Sequence, residues 1–118
     1  MKIDILAKNI DLTGELRKYI ESKVESFDKT LGKSNEERHC DFRIGKNSEA
    51  HGQGKIYFAE TRIETPRKNY GAKAKAESIN EAVDKLKDEI LKKIRRNKDK
   101  KDSMLKKGGR KIKELLKL

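Results

Sequence analysis

The order in which two hydrophobic periodicities alternate along the chain is the feature that most constrains its fold. Stretches in which every second residue is apolar predict strands with one buried face, and apolar residues three or four positions apart predict helices with one buried side. These patterns occur in the order strand, helix, three strands, helix. Because only 33% of the 118 residues are apolar, each element can offer only one apolar face to a core. The sequence therefore predicts an α+β fold, a two-layer β-α-β-β-β-α sandwich with both helices on one face of a four-stranded sheet.

Alternation places the predicted strands at residues 2–8, 37–46, 55–65 and 70–76. Pro66 ends the third strand because proline cannot donate a hydrogen bond to a neighbouring strand. The pattern does not explain Ile56 and Phe58, which would face away from the inward residues of this strand. Those inward residues are Tyr57, Ala59, Thr61, Ile63 and Thr65. The inward residues of the fourth strand are mostly alanines, so a bulky element should lie close over them.

Two apolar stripes predict the helices. The first helix has its N-cap at Asp11 or Thr13 and ends at Gly32. The second begins near Ser78, with Glu81 at the spacing of a capping box, and fades within residues 95–102. The stripes consist of Leu16, Tyr19, Ile20, Val24, Phe27 and Leu31 in the first helix, and of Ile79, Ala82, Val83, Leu86, Ile90 and Ile94 in the second.

The composition changes after the second helix. Residues 1–102 are predicted to form one α+β domain, and residues 103–118 a basic tail that is flexible or a short helix. Gly108 and Gly109 split this tail. Residues 111–118 have the pattern of one or two turns of amphipathic helix, which is marginally stable in water on its own.

The charge of the chain indicates a polyanionic partner. Its formal net charge is +11 and its pI is about 9.7. Between residues 92 and 113 there are twelve basic residues and only two acids, Asp99 and Asp102. Favourable interaction with the helix dipole explains only a few of these charges. We therefore interpret the segment as a surface for nucleic acid, with an anionic membrane as the second choice.

Recognition of structured RNA fits the sequence better than base stacking on single strands. Tyr57 and Phe58 are the only neighbouring aromatic residues, and for both we favour burial in the core over stacking. Contacts from lysine and arginine to phosphates would then supply the affinity, and the shape of the RNA would provide the recognition.

The sequence lacks motifs for catalysis or metal binding. Its single cysteine, Cys40, excludes an intrachain disulfide and a multi-cysteine zinc site, and we interpret it as a buried strand residue. His39 and His51 lack the spacing of metal ligands, and Asp84 and Asp88, one helical turn apart, are interpreted as members of local ion pairs. We expect no enzyme activity, cofactor, metal or small-molecule substrate. Without a signal peptide or a long apolar run, the chain is predicted to be cytoplasmic, with no membrane partner.

Three stretches of the sequence resemble one known family. Residues 15–24 (ELRKYIESKV) resemble the first helix of that family. The alternating alanines of residues 72–76 resemble the family's last strand, and residues 81–100 (EAVDKLKDEILKKIRRNKDK) resemble its second helix. In this order they are similar to the ribosome hibernation promoting factors, also called ribosome-associated inhibitor A or sigma-54 modulation proteins. The resemblance covers residues 1–102. The chain resembles the short form of the family, because its tail is too short to be the dimerising C-terminal domain of longer members.

The resemblance implies a partner and a function. Members of this family bind the 16S rRNA of the small (30S) ribosomal subunit, in the channel used by messenger and transfer RNA, and keep ribosomes inactive under stress. The family pattern has a lysine where this chain has Glu89, and the loop at residues 66–70 replaces its usual Pro-Gly turn. The expected RNA-binding residues are Arg17, Lys23, Lys73, Lys75, Lys85, Lys92, Arg95, Arg96, Lys98 and Lys100.

Two other functions stay open at this point. A generic binder of double-stranded RNA or DNA, unrelated to the ribosome, would use the same basic helix. An interaction protein would instead use residues 111–118 to engage a protein partner or a membrane.

Overall fold

Four strands and two helices follow one another in the predicted order. A computed structural model describes the backbone of residues 1–47 and 56–116 and the side chains of residues 1–47 and 56–99. The elements are β1 (Lys2–Lys8), α1 (Gly14–Leu31), β2 (His39–Lys46), β3 (Tyr57–Glu64), β4 (Asn69–Ala76) and α2 (Ile79–Leu116). The predicted fold class is confirmed.

The sheet has the strand order β1-β2-β3-β4. β1 and β2 are parallel and are joined through α1, whereas the other two pairs are antiparallel. Across the sheet, Ile5 lies opposite Phe42, Phe42 opposite Thr61, and Thr61 opposite Ala72. Because side chains alternate along a strand, this register brings most apolar residues of the four strands to one face, with Leu6 and Phe58 as exceptions on the other. We term the mainly apolar face the inner face, and the opposite one the outer face.

The helices bury the inner face. α2 packs on β3 and β4, and α1 contacts α2 and β1. Ala74 and Ala76 of β4 are buried in the same cluster as Leu86 and Ile90 of α2, which confirms that a bulky element covers the alanines. The other buried apolar residues are Ile20, Val24, Phe27, Cys40, Phe42, Ile44, Ala59, Ile63, Tyr70, Ala82, Val83, Leu91 and Ile94.

The interpretation of Cys40 as a buried strand residue is confirmed. Its side chain is fully buried on the inner face, and its Sγ lies 3.2 Å from the Thr61 hydroxyl oxygen. Burial raises the pKa of the Cys40 thiol to about 11, because a thiolate is poorly solvated there. At neutral pH the group is therefore a neutral thiol and a poor nucleophile.

Local hydrogen bonds set both ends of α1 and the start of α2 where the sequence predicts them. Thr13 is the N-cap of α1, and its Oγ1 accepts a hydrogen bond of 3.1 Å from the Leu16 N–H. Gly32, with φ of 91°, ends α1 by donating its N–H to the Asp28 carbonyl. At the start of α2, the Ser78 hydroxyl oxygen accepts a hydrogen bond of 3.2 Å from the Glu81 N–H.

The end of α2 differs from the prediction. The helix does not fade within residues 95–102 but continues to Leu116, through Gly108 and Gly109. Lysine, leucine and glutamate favour helices, and each glycine costs only about 1 kcal/mol relative to alanine, so the pair does not force a break. The division of the chain at residue 102 stays a prediction. Over their described lengths, neither helix is apolar enough to cross a membrane.

We expect alanine at Gly45 to destabilise the protein. A Cβ atom there would lie 2.7 Å from the Lys8 carbonyl oxygen and 2.7 Å from the Phe58 ring. Gly45→Ala should lower the free energy of unfolding by about 1–3 kcal/mol through overpacking, as measured by urea denaturation. Gly14→Ala is the matched control, because its Cβ would have no neighbour within 4 Å. Equal stability of the two variants would contradict the close packing at Gly45.

Candidate nucleic-acid interface

The solvent-exposed side of α2 carries a row of basic side chains. Lys85, Lys92 and Arg96 are seven and four positions apart, a spacing that returns to the same side of a helix. All three are exposed, as is Arg95 beside them, while Ile90 faces the core. We term Lys85, Lys92, Arg95 and Arg96 the α2 ridge.

Within the part of the chain whose side chains are described, no ion pair neutralises the charges of the α2 ridge. None of its four cations lies within 4.0 Å of a carboxylate oxygen of the described residues. Glu89, the acid at the family's usual lysine position, is exposed one turn from Lys85 and Lys92 but pairs with neither. Exposed cations that make no ion pair with a described residue are suited to bind the phosphates of a nucleic acid.

Lys98 lies beside the ridge, towards α1. A Cβ atom on Gly32 would be 3.8 Å from Lys98 Nζ, so this ammonium group sits at the C-terminal end of α1, where the helix dipole favours a positive charge. Lys98 is exposed and extends the basic surface. The side chain of Lys100 lies outside the described residues, although its backbone is part of α2.

The two predicted RNA-binding residues of α1 differ in whether their charges are free to contact a ligand. Arg17 is half-exposed and lies 3.9 Å from Glu21 on the next turn, a weak surface pair. Lys23 is only 19% exposed, pairs with Asp84 of α2 at 3.5 Å, and lies 4.4 Å from the Tyr19 ring centroid. Lys23 therefore joins the two helices, whereas Arg17 can reach a ligand.

Tyr19 completes this contact between the helices. Its hydroxyl donates a hydrogen bond to Asp84, which raises the pKa of Tyr19 to about 12, with burial and the Asp84 charge adding to the shift. The sequence favours an interpretation of Asp84 as a member of a local ion pair within α2. Asp84 does form an ion pair, but its partner is Lys23 of α1 and not a residue of α2, so the interpretation is wrong about the partner.

Lys73 and Lys75 lie on a different surface. They alternate with the inward alanines of β4, so they stand on the outer face, away from the helices. Lys73 Nζ is 4.0 Å from a Glu60 carboxylate oxygen and 5.3 Å from the Phe58 ring centroid. The predicted RNA-binding residues are thus divided between the helical layer and the outer face of the sheet.

Polar groups outside the set of RNA-binding residues expected from the sequence also lie beside α2. Lys68 donates a hydrogen bond of 3.2 Å to Asn97, Asn97 donates one of 2.8 Å to the Tyr70 hydroxyl, and Lys93 donates to the Gly71 carbonyl. Together with Arg96, these groups line a shallow pocket between β4 and α2. Only the tertiary structure brings Lys68 next to α2, since 29 positions separate it from Asn97.

His39 lies in an acidic cluster at one end of the outer face. Its Nε2 is 2.9 Å from Asp41 Oδ1 and 3.1 Å from Asp4 Oδ2. The hydrogen bond to Asp41 is the main cause that raises the pKa of His39, and the charges of Asp41, Asp4 and Glu64 add to it. One atom from each of Asp4, His39 and Asp41 lies within 4.8 Å of the others, which is close enough to hold a metal ion. Spacing along the sequence could not show this cluster, because Asp4 comes from a neighbouring strand.

Comparison with known families identifies the chain. A family model described as sigma-54 modulation protein / S30EA ribosomal protein matches residues 3–102. The chain belongs to this family. The description names a ribosomal protein and not an enzyme, and the resemblance seen in the sequence is confirmed. No curated protein matches the chain.

Solved structures share the fold of this family member. The N-terminal domain of Protein Y from Thermus thermophilus superimposes with a TM-score of 0.66 at 18% identity, over 81% of this chain and 98% of that one. A ribosomal subunit interface protein from Coxiella burnetii gives a TM-score of 0.66 at 16% identity, over 84% of this chain and 99% of that one. At this identity the likeness shows the β-α-β-β-β-α fold alone.

The stability contribution of His39 should depend on pH. Its pKa in the folded protein is raised above 6.5, so the contribution is fully present below about pH 6.5 and is lost as the pH rises through the folded pKa. His39→Gln should therefore lower the free energy of unfolding more at about pH 5.5 than at about pH 8.5, measured by urea denaturation. With Asp41→Asn already in place, the difference between the two pH values should shrink. An equal effect of His39→Gln at both pH values would contradict the cluster.

Proposed function

We propose that this chain binds the 16S rRNA of the small ribosomal subunit, in the channel for messenger and transfer RNA, and keeps ribosomes inactive under stress. The observation that carries the proposal is the α2 ridge, whose cations are exposed and make no ion pair with a described residue, on a member of a ribosome-associated family. The family membership supplies the ribosome as partner, and the ridge supplies the chemistry of binding. On this proposal the protein works in the cytoplasm, without enzyme activity.

Electrostatic contact with phosphates explains how such a surface would bind. Lysine ammonium groups act as point charges, and the guanidinium groups of Arg95 and Arg96 can donate paired hydrogen bonds to one phosphate. These contacts fix the position of the helix without reading sequence, so the shape of the folded rRNA has to select the site. A protein held there would occupy the space that messenger and transfer RNA need.

The predicted residues contribute unequally in this proposal. The α2 ridge, Lys98 and Lys100 form the main contact, with Arg17 at its margin. Lys23 acts mainly by holding α1 against α2 through Asp84. The positive residues of 103–118 would add affinity by extending the basic surface.

Charge reversal on α2 should weaken binding to small subunits. The triple variant Lys92→Glu, Arg96→Glu and Lys98→Glu replaces three cations by acids on one surface of the helix. We expect its affinity in cosedimentation across a salt series to fall at least about 10-fold. The slope of log affinity against log salt should also become less steep by about 2–3, since each lost phosphate contact contributes about 0.7–0.9. The variant should also fail to inhibit translation in vitro.

A matched variant separates this site from a general loss of positive charge. Lys2→Glu, Lys29→Glu and Arg62→Glu change the net charge equally, at exposed positions outside α2. This control should bind and inhibit like the wild type. Equal loss in both variants would contradict the assignment to α2. Equally tight binding of wild type to naked RNA duplex would favour a generic nucleic-acid binder, and loss of a protein partner on deleting residues 103–118 would favour the interaction protein.

A further inference from the structure

Phe58 is an aromatic residue that the core does not use. It is half-buried, and it belongs neither to the buried cluster nor to the partly buried residues packed against it. The expectation that Phe58 is buried in the core is therefore wrong. It alternates with Ala59, which is fully buried on the inner face, so the Phe58 ring stands on the outer face.

Basic side chains surround this ring. In the register of the sheet, Phe58 lies opposite Lys75, and the neighbouring row runs through Arg43, Glu60 and Lys73. Lys8 lies opposite Gly45, at the other end of the row that contains Phe58. We term Lys8, Arg43, Phe58, Lys73 and Lys75 the outer-face patch.

Most cations of the outer-face patch make no ion pair with a residue that the structure describes. Glu60 is the acid within it and lies 4.0 Å from Lys73. Among the described residues, Lys8, Arg43 and Lys75 make no ion pair. All four cations are exposed. An unpaired cation that is exposed to water costs the folded protein little free energy, and it strongly attracts a polyanion.

The Phe58 ring packs against a defined position on the sheet. Gly45 leaves room for it, since a Cβ atom there would come within 2.7 Å of the Phe58 ring atoms Cε1 and Cζ. The Lys73 ammonium lies 5.3 Å from the ring centroid, within the range of a cation–π contact. The ring therefore lies against the backbone at Gly45, and the Lys73 ammonium lies over it. Lys73 is exposed, so a base that stacks on the ring would displace this side chain.

We propose that the outer-face patch binds a single-stranded segment of RNA, with a base stacked on Phe58 and phosphates held by Lys8, Arg43 and Lys75. An acidic protein would satisfy the cations but not the aromatic ring among them, whereas single-stranded RNA offers both phosphates and flat bases. This inference goes beyond the proposed function, which rests on the α2 ridge in the other layer of the fold. It shares with that function only the choice of RNA as partner.

The acidic cluster limits where the RNA strand can lie. Asp4, Asp41 and Glu64 lie at the far end of the same face, where they offset the charges of Lys2 and Arg62, so that end attracts phosphates less than the basic end does. The bound strand therefore crosses from β1 to β4 over the basic end. Four strands span about 14 Å, which limits the segment to a few nucleotides.

The test is binding of a fluorescent oligoriboadenylate of about eight nucleotides to the full chain at low salt, read by fluorescence anisotropy. Wild type and the α2 triple variant should both bind. The triple variant Lys8→Glu, Arg43→Glu and Lys75→Glu should bind at least about 10-fold more weakly, because three phosphate contacts are lost. Phe58→Ala should weaken binding about 5- to 100-fold by removing a stacked base. Circular dichroism verifies that each variant is folded.

Two variants separate stacking from a change in packing. Phe58→Tyr keeps the aromatic ring and should bind within about 2-fold of wild type, as should Leu6→Ala, which removes an exposed apolar side chain from the same face. Absence of wild-type binding would overturn the inference. So would unchanged binding by Phe58→Ala, or equally tight binding of an abasic oligomer of the same length.

Different experimental results would overturn each of the two RNA-binding proposals. Oligonucleotide binding that is lost in the α2 triple variant and kept in the outer-face triple variant overturns the outer-face inference alone. Unchanged cosedimentation of the α2 triple variant with small subunits overturns the proposed function alone, because the oligonucleotide assay does not depend on the ribosome.

Discussion

Burial of one face of the sheet is the constraint on which the rest of the structure depends. A chain with 33% apolar residues cannot cover both faces, so its hydrophobic side chains must converge on one layer. Ala74 and Ala76 lie under the large apolar residues of α2, so small residues of β4 fit beneath bulky ones of the helix. The side of each helix that faces away from the sheet, and the whole outer face, are left to water.

This arrangement gives the basic residues different physical roles. Arg38 is only 11% exposed and pairs with Asp28 at 2.8 Å, so it stabilises the contact between β2 and the end of α1. That contact also lowers the pKa of the Asp28 carboxyl, through hydrogen bonds from Arg38 and the N-terminus that outweigh the effect of burial. Lys23 is similarly engaged with Asp84. The cations of the α2 ridge and most of those in the outer-face patch have no such partner among the described residues, so their charge is available to a ligand.

The two surfaces differ in the recognition that they permit. The α2 ridge presents charges along a rigid helix and has no aromatic side chain in it, which suits phosphates of folded RNA. The outer-face patch combines charges with one ring on a nearly flat support, which suits unpaired bases. At the other end of the outer face, the acids around His39 offset the charges of Lys2 and Arg62, so the net positive charge of this face concentrates at one end of the sheet. A formal net charge of +11 therefore acts through local patches rather than as a uniform field.

Much of the fold and part of the candidate site could be predicted from the sequence. Alternation and helical spacing fix which side of each element is apolar, and caps such as Thr13 and Gly32 act through their own neighbours, so these features are local. The basic stretch of α2 is likewise readable along the chain. Contacts between distant residues are not: the Lys23–Asp84 pair, the Asp4–His39–Asp41 cluster and the position of Phe58 over Gly45 all depend on which elements become neighbours. The sequence by itself determined how many cations there are and on which side of each element they lie. Only the tertiary structure decided which of them remain unpaired, because an ion pair depends on the distance between side chains that folding brings together.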